Sequence, residues 1–463
     1  MNKLPIYALV FLLLGSGCGS KQEDYLALYE EGEELLAGPL GVNSTSSNAF
    51  GFEVPGLSFT DQAKFATGNS LFNQSWVSSP ASTTARDGLG PTFNARACAS
   101  CHFKDGRGKP LILGEKTSGF LMRLSQSGQD EYGGPLGLEN YGTQIHDFSN
   151  RGIPHEAKIK VQYDTIRGAY PDGKTYLLYK PIYTFEEENF GPISNAMTSP
   201  RIAQQTIGMG LISALPDSEI LKLADEFDKN GDDISGRPNY VWNYDTQEKD
   251  LGKYGWKANA PSLMTQIASA FHGDMGLTNP VFLNGDCPDP QVDCNNAPNG
   301  GEPEVTAKQM EKVLFYQASL SVPNRRNAKD ENVLKGKALF TELNCVGCHA
   351  INQTTGDFPI NPLLENIQIK PYSDFLLHDM GEGLADNRPD YEANGREWRT
   401  QPLWGIGLIP TVNKHTFFLH DGRARSVEEA ILWHGGEAET IKKNFMNLSE
   451  KERKQLLAFI NSL

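Results

Sequence analysis

Two copies of one small helical unit, the first enlarged by a long insertion with some β-strand, form the mainly α architecture expected from this sequence. Three features lead there. The pattern C-x-x-C-H occurs twice, as Cys98-Ala-Ser-Cys101-His102 and Cys345-Val-Gly-Cys348-His349. A helical pattern with a G-x-x-L-F core precedes each, Gly68–Phe72 and Gly336–Phe340. A constant offset of 164 residues (420 − 256) aligns Trp256–Leu263 with His420–Val427, matching Ala260 with Ala424, Ser262 with Ser426 and Leu263 with Val427. Self-similarity at a fixed offset is the mark of a duplicated unit. Upstream, Ile207–Leu211 (IGMGL) echoes Trp404–Leu408 (WGIGL).

Taken in chain order, residues 1–17 carry one positive charge, Lys3, and an apolar run from Ile6 to Leu14. That run is too short to span a membrane and reads as the core of a secretory signal peptide. Gly15-Ser16-Gly17 before Cys18 resembles a bacterial lipoprotein cleavage box, with Gly15 where such boxes have Leu. Lipidation at Cys18 and ordinary cleavage nearby both remain open. Residues 18–56 are polar and rich in Gly, Ser and Asn, a composition suited to a tether. The first unit occupies 57–323, and Val305–Leu320 has the pattern of its closing helix.

The insertion covers about 107–255. Within it, Lys158–Tyr163 and Tyr176–Tyr183 read as strands, with Asp172-Gly173 as a turn signal between them. The insertion is expected either to shape access to the first site or to lie as a flap on the solvent side. The second unit occupies 324–463 and ends in a capping box, Ser449 with Glu452, before Leu456, Phe459, Ile460 and Leu463 on one helical face.

Composition narrows the partners. The 463 residues are 39% hydrophobic and 21% charged, enough for a sizeable core, and the net charge is −15. So acidic a chain repels phosphate, which argues against nucleic acid and favours a basic protein or a neutral small molecule.

Seven cysteines stand at 18, 98, 101, 287, 294, 345 and 348. Cys287 and Cys294, in a loop rich in Pro, Asn and Asp, suit a disulfide in an oxidising compartment. The other four belong to the two C-x-x-C-H motifs, which are c-type haem attachment signatures. The thiols bond to the porphyrin, and His102 and His349 follow as proximal iron ligands. Zinc would need further ligands, and the spare histidines are scattered. A dithiol redox pair would not need a histidine next door twice. Two covalent c-type haems, held by Cys98, Cys101, Cys345 and Cys348 in two cytochrome c-like units, are therefore expected.

Further segments carry a resemblance: Asp87–Arg96 (DGLGPTFNAR), Ile234–Asn239 (ISGRPN), Asp274–Gly276 (DMG), His378–Gly381 (HDMG), and His420–Arg423 (HDGR) through His434–Glu437 (HGGE). Across roughly residues 57–463 the chain resembles the bacterial di-haem oxidoreductase family, kin to the di-haem cytochrome c peroxidases and the methylamine-utilisation enzyme MauG. In the peroxidase relatives the second haem takes a distal ligand, usually Met, fourteen residues after the His of an H-D-G segment. That position here is His434, which implies a bis-His second haem of lowered potential, with Met380 as the alternative ligand.

The same offset lands on Ala270 in the first unit, which leaves the first iron open to peroxide or another small oxidant. The relatives line that pocket with a Gln and a Glu. Gln266 holds the Gln position, and Asp274 is the acid, two residues earlier than the relatives' Glu. His272 is the rival proton carrier, and His272 or Met275 is the alternative cap that would make the first haem a pure electron carrier.

Arg96, Arg201 and Arg423 are candidates for haem propionates or else surface arginines. Trp404 and Trp433 are expected between the haems or in the core. Asp228–Asp233 (DKNGDD) resembles half a calcium loop without its closing Glu, so calcium and an acidic turn both stand. The expected function is that of a peroxidase-like oxidoreductase, lipid-anchored in the periplasm or at the cell surface, that takes electrons from a basic redox partner protein. An electron-transfer cytochrome and an iron- or haem-handling surface protein are the alternatives.

Overall fold

A computed structural model describes residues 24–112 and 119–463. Cys18 and the apolar run Ile6–Leu14 lie outside the described residues. Among the described residues no helix is long and apolar enough to cross a membrane.

Each C-x-x-C-H motif lies beside a pair of crossing helices. In the first unit Phe59–Asn73 packs on Ala307–Ala318, and in the second Glu331–Glu342 packs on Glu450–Ile460. The leading helices start on Ser58 and Asp330, whose side chains accept from backbone amides of the first turn. Both closing helices start on full capping boxes, Thr306 with Gln309 and Ser449 with Glu452. Glycine lets the helices of each pair meet. A Cβ on Gly68 would overlap the Lys312 carbonyl and lie 2.5 Å from Tyr316 Cβ. One on Gly336 would overlap the Gln455 carbonyl and lie 2.8 Å from Phe459 Cβ. Lys312 and Tyr316 map onto Gln455 and Phe459 by one offset, so the crossing itself is repeated.

The expectation of a mainly α protein is corrected by the structure, which is 29% helical and 18% strand. The strands pair two by two into six small antiparallel sheets among the described residues. Most strand residues fall in the insertion, where the expected hairpin is longer than its apolar signal. Lys158–Ala169 and Thr175–Glu186 pair over their full lengths, from Lys158 opposite Glu186 to Ala169 opposite Thr175. The helical expectation carried the local pattern of the two units into segments whose alternation and Gly/Pro breaks favour ribbons. The hairpin also spans the units, since its Tyr170 hydroxyl donates to Glu428 Oε1 (2.7 Å) and Tyr170 stacks under Arg453. A second ribbon pairs Phe120–Ser125 with Met197–Ile202. Cys287 and Cys294 form a disulfide with a Cα–Cα distance of 5.8 Å.

Candidate functional site

The repeat is visible in two short helices, one in each unit. Leu263–Ser269 and Val427–Trp433 have the same length and bounds at the 164 offset. Ser262 caps the first by accepting from the Thr265 amide, and Ser426 caps the second by accepting from the Glu429 amide. The next residue separates them. Ala270 stays helical (φ −71°, ψ −39°) and opens a π turn over Ala270–Asp274, whereas His434 leaves the helix (φ −59°, ψ 138°).

In the second unit Cys345, Cys348, His349 and His434 line one cavity, which encloses about 1680 Å³ of space including its mouth. A short 3-10 turn, Cys345–Gly347, brings the His349 amide onto the Cys345 carbonyl (2.9 Å). His349 Nδ1 donates to the Tyr372 carbonyl (2.9 Å) and His434 Nδ1 to the Ala430 carbonyl (2.6 Å). Those bonds select the tautomer whose Nε2 keeps a free lone pair, the form that a metal ligand requires. Burial keeps both rings neutral, holding His434 down at about 4 and lowering His349. Met380 lines the same cavity. His378 does too, but its nitrogens are engaged by Asp374 and Glu437, each at 2.7 Å.

The walls fit a haem. They are largely apolar, with Phe340, Leu403, Ile431 and Leu456 among them, and Trp404 is held by Nε1 on the Lys370 carbonyl (2.8 Å). Two buried guanidiniums, Arg107 and Arg399, also line the cavity without a carboxylate partner among the described residues. Arg107 lies over the Trp256 and Phe418 rings with Nε unbonded, and burial lowers both arginines to about 10. A buried cation of this kind calls for an anion, which haem carboxylates provide. These two residues carried no signal in sequence. Of the arginines proposed there, Arg201 is buried on Asp390 (2.8 Å), Arg423 is buried on Asp421 (2.7 Å), and Arg96 is exposed over Phe93. Trp433 lies under Arg423, 4.9 Å from its ring centre.

In the first unit Cys98–Cys101 form one helical turn, and the His102 amide bonds to the Cys98 carbonyl (2.9 Å). His102 Nδ1 donates to the Gln204 carbonyl (2.6 Å), and burial lowers its pKa. Phe72 lies 6.2 Å from the His102 ring, as Phe340 lies 6.1 Å from His349. Gln204 also lines the cavity of the second motif, and its Nε2 donates to Gln401 there. One residue therefore touches both sites.

The charge of Asp274 reaches the first motif. Burial pushes the Cys98 thiol up to about 12 and raises Cys101 further, and the charge of Asp274 adds to both. Asp274 Oδ1 accepts from Gln144 Nε2 (3.0 Å). Gln266 is half-buried, one turn before Ala270, with no side-chain hydrogen bond among the described residues. His272 is engaged elsewhere: Nε2 donates to the Asn284 carbonyl (3.0 Å) and the ring stacks on Phe282 at 4.9 Å. Met275 is core, 2% exposed.

In the acidic loop the side chains of Asp225, Asp228 and Asp232 accept backbone amides of their own turn. Among the described residues no group of three or more His, Cys, Asp or Glu is arranged to hold a metal.

No curated protein matches the chain. A family model described as "Di-haem oxidoreductase, putative peroxidase" matches residues 38–463, nearly the whole described chain. By that match and by its twin motif sites, the chain belongs to the di-haem oxidoreductase family.

Proposed function

We propose that the protein is a di-haem peroxidase that reduces hydrogen peroxide at the first motif with electrons entering through the second. The observation that carries this reading is the contrast between Ala270 and His434 at one repeat position, with Asp274 beside the first motif. Bound at the two motifs through Cys98, Cys101, Cys345 and Cys348, haem would supply the iron redox chemistry and the electron path. His102 and His349 would each supply an imidazole to hold it. His434 would close the second site, and the methyl group of Ala270 would leave room at the first.

Peroxide takes up two electrons and two protons, its O–O bond breaks, and two waters leave. The electrons come from a reduced redox protein outside the chain. Asp274 Oδ2, free of hydrogen bonds to the described residues, moves a proton to the departing oxygen. A basic donor complements the charge of −15. Lipid attachment at Cys18, in the periplasm or on the outer membrane, belongs to the same reading.

Purified holoprotein should show one high-spin and one low-spin ferric haem and should turn over peroxide with a reduced donor. Two low-spin haems, neither yielding to cyanide after partial reduction, would overturn the reading in favour of an electron carrier.

A further inference from the structure

Asp274 sits in the π turn that replaces the ligand-bearing position of the second unit, and such turns need outside support because their own hydrogen bonding is irregular. Support comes from the insertion. Gln144 is 2% exposed, and its Nε2 meets three acceptors: Asn94 Oδ1 (2.6 Å), Asp274 Oδ1 (3.0 Å) and the Gly273 carbonyl (3.2 Å). The orientation of this amide is fixed by its neighbours. Asn94 Nδ2 donates to the Ile145 carbonyl (2.8 Å) and to Asp147 Oδ1 (3.2 Å), so Asn94 Oδ1 must face Gln144 as an acceptor. Gln144 Oε1 is left buried with no partner among the described residues. A buried amide that leaves its oxygen unpaired is oriented for what its nitrogen donates to.

From the other side, His146 Nε2 donates to the Gly273 carbonyl (2.7 Å). Burial opposes charge on His146, yet Glu156 holds the ring protonated, up to about 10. Glu156 is in turn held by Gln291 Nε2 (2.7 Å) from the disulfide loop. The Asp274 carbonyl accepts from the amides of Asn94 (2.8 Å) and Ala95 (3.1 Å), on the segment leading to Cys98.

We propose that Gln144 is the positioning residue for Asp274, occupying Oδ1 so that Oδ2 is presented toward the first motif, with His146 fixing the turn behind it. This rests on the peroxidase reading for the role of Asp274. It assigns the insertion a share in the site.

The test uses the holoprotein and two readouts, peroxide turnover and the association rate of cyanide. Cyanide enters as HCN and must lose a proton to a nearby base, so its rate reports the carboxylate without turnover. Gln144→Leu should slow both by about tenfold or more, and the buried acceptors it leaves unpaired should lower the thermal midpoint by a few degrees. Asp274→Asn should slow both by at least as much. The double variant should be no slower than Asp274→Asn alone, because Gln144 acts through that carboxylate. If Gln144→Leu fails to take up haem, Gln144→Met, of similar length and without a donor, carries the same test. A double variant that loses the product of the two single effects overturns the proposal, as does a single Gln144 variant with wild-type cyanide kinetics. Wild-type protein that binds cyanide with this pattern but does not reduce peroxide would instead refute the peroxidase reading and leave the positioning role standing.

Discussion

The two units match closely in local backbone up to the single position at which their side chains diverge. Residues 262–269 and 426–433 share cap, length and helix, and each unit repeats the same glycine-mediated helix crossing. At the next position one chain carries a methyl group and continues as a π turn, while the other carries an imidazole and stops. On the proposed reading, that one side chain and one backbone turn divide peroxide binding and electron entry between the copies. What surrounds that position then follows: the first unit adds an acid and the insertion residues that hold it, whereas the second keeps a largely apolar cavity lined by both His349 and His434.

The contrast is most severely tested by making the copies alike. Ala270→His should close the first site, abolish cyanide binding and bring both ferric haems to low spin. A variant that binds cyanide like the wild type would show that Ala270 does not face the first haem. Asp274→Asn should slow peroxide reduction by about 10²-fold or more in steady-state assays while leaving the haem spectra nearly unchanged. The converse exchange, His434→Met, should keep the second haem low-spin and raise its potential in spectroelectrochemical titration, since Met/His ligation raises potential. An unmoved potential would pass the ligand role to Met380, which lines the same cavity. Smaller in effect, Gly336→Ala should cost about 1–3 kcal/mol in chemical denaturation, because its Cβ meets the Gln455 backbone of the crossing helix. Gly68→Ala should match it if the crossings are equivalent.

The local parts of this design were legible in sequence. Motifs, helix caps, the closing helices and the hairpin depend on short spacings, and they appear where those spacings put them. The repeat offset also placed Ala270 opposite His434 without a structure. Residues whose role comes from distant contacts were not legible. Gln144 lies 130 positions from the Asp274 it holds, and nothing in its neighbourhood distinguishes it from any other glutamine. Arg107 and Arg399 stand out only once the fold shows that they are buried without acids, while Arg201 and Arg423, more prominent in sequence, have theirs. The mainly α expectation failed for a related reason. Strand pairing is non-local, and periodicity in the helical units says little about how 149 inserted positions (107–255) pair with one another.

One further asymmetry has the smallest expected effect. Three residues past His102 stands Asp105, and three past His349 stands Asn352. Asp105 is 5% exposed, and its Oδ1 accepts from the Tyr316 hydroxyl (2.6 Å), where the second unit has Phe459 and no hydroxyl. Burial raises the Asp105 carboxyl to about 7, against the partial opposition of the Tyr316 hydrogen bond. A carboxyl raised above its unfolded value of about 3.9 binds more protons folded than unfolded between those two values. Its contribution to stability is therefore fully present at low pH and is lost as pH rises toward about 7, after which it stays lost. Asp105→Asn puts the residue of the second unit into the first and keeps an oxygen for Tyr316 to donate to, so it should remove that slope. Measured between about pH 5 and about pH 8, the melting temperature of the wild type should fall by a few degrees relative to the variant. The variant should be the more stable of the two at the alkaline end. Parallel curves would mean that Asp105 does not titrate near neutrality in the folded protein, and that this acid and phenol are only a hydrogen-bonded pair.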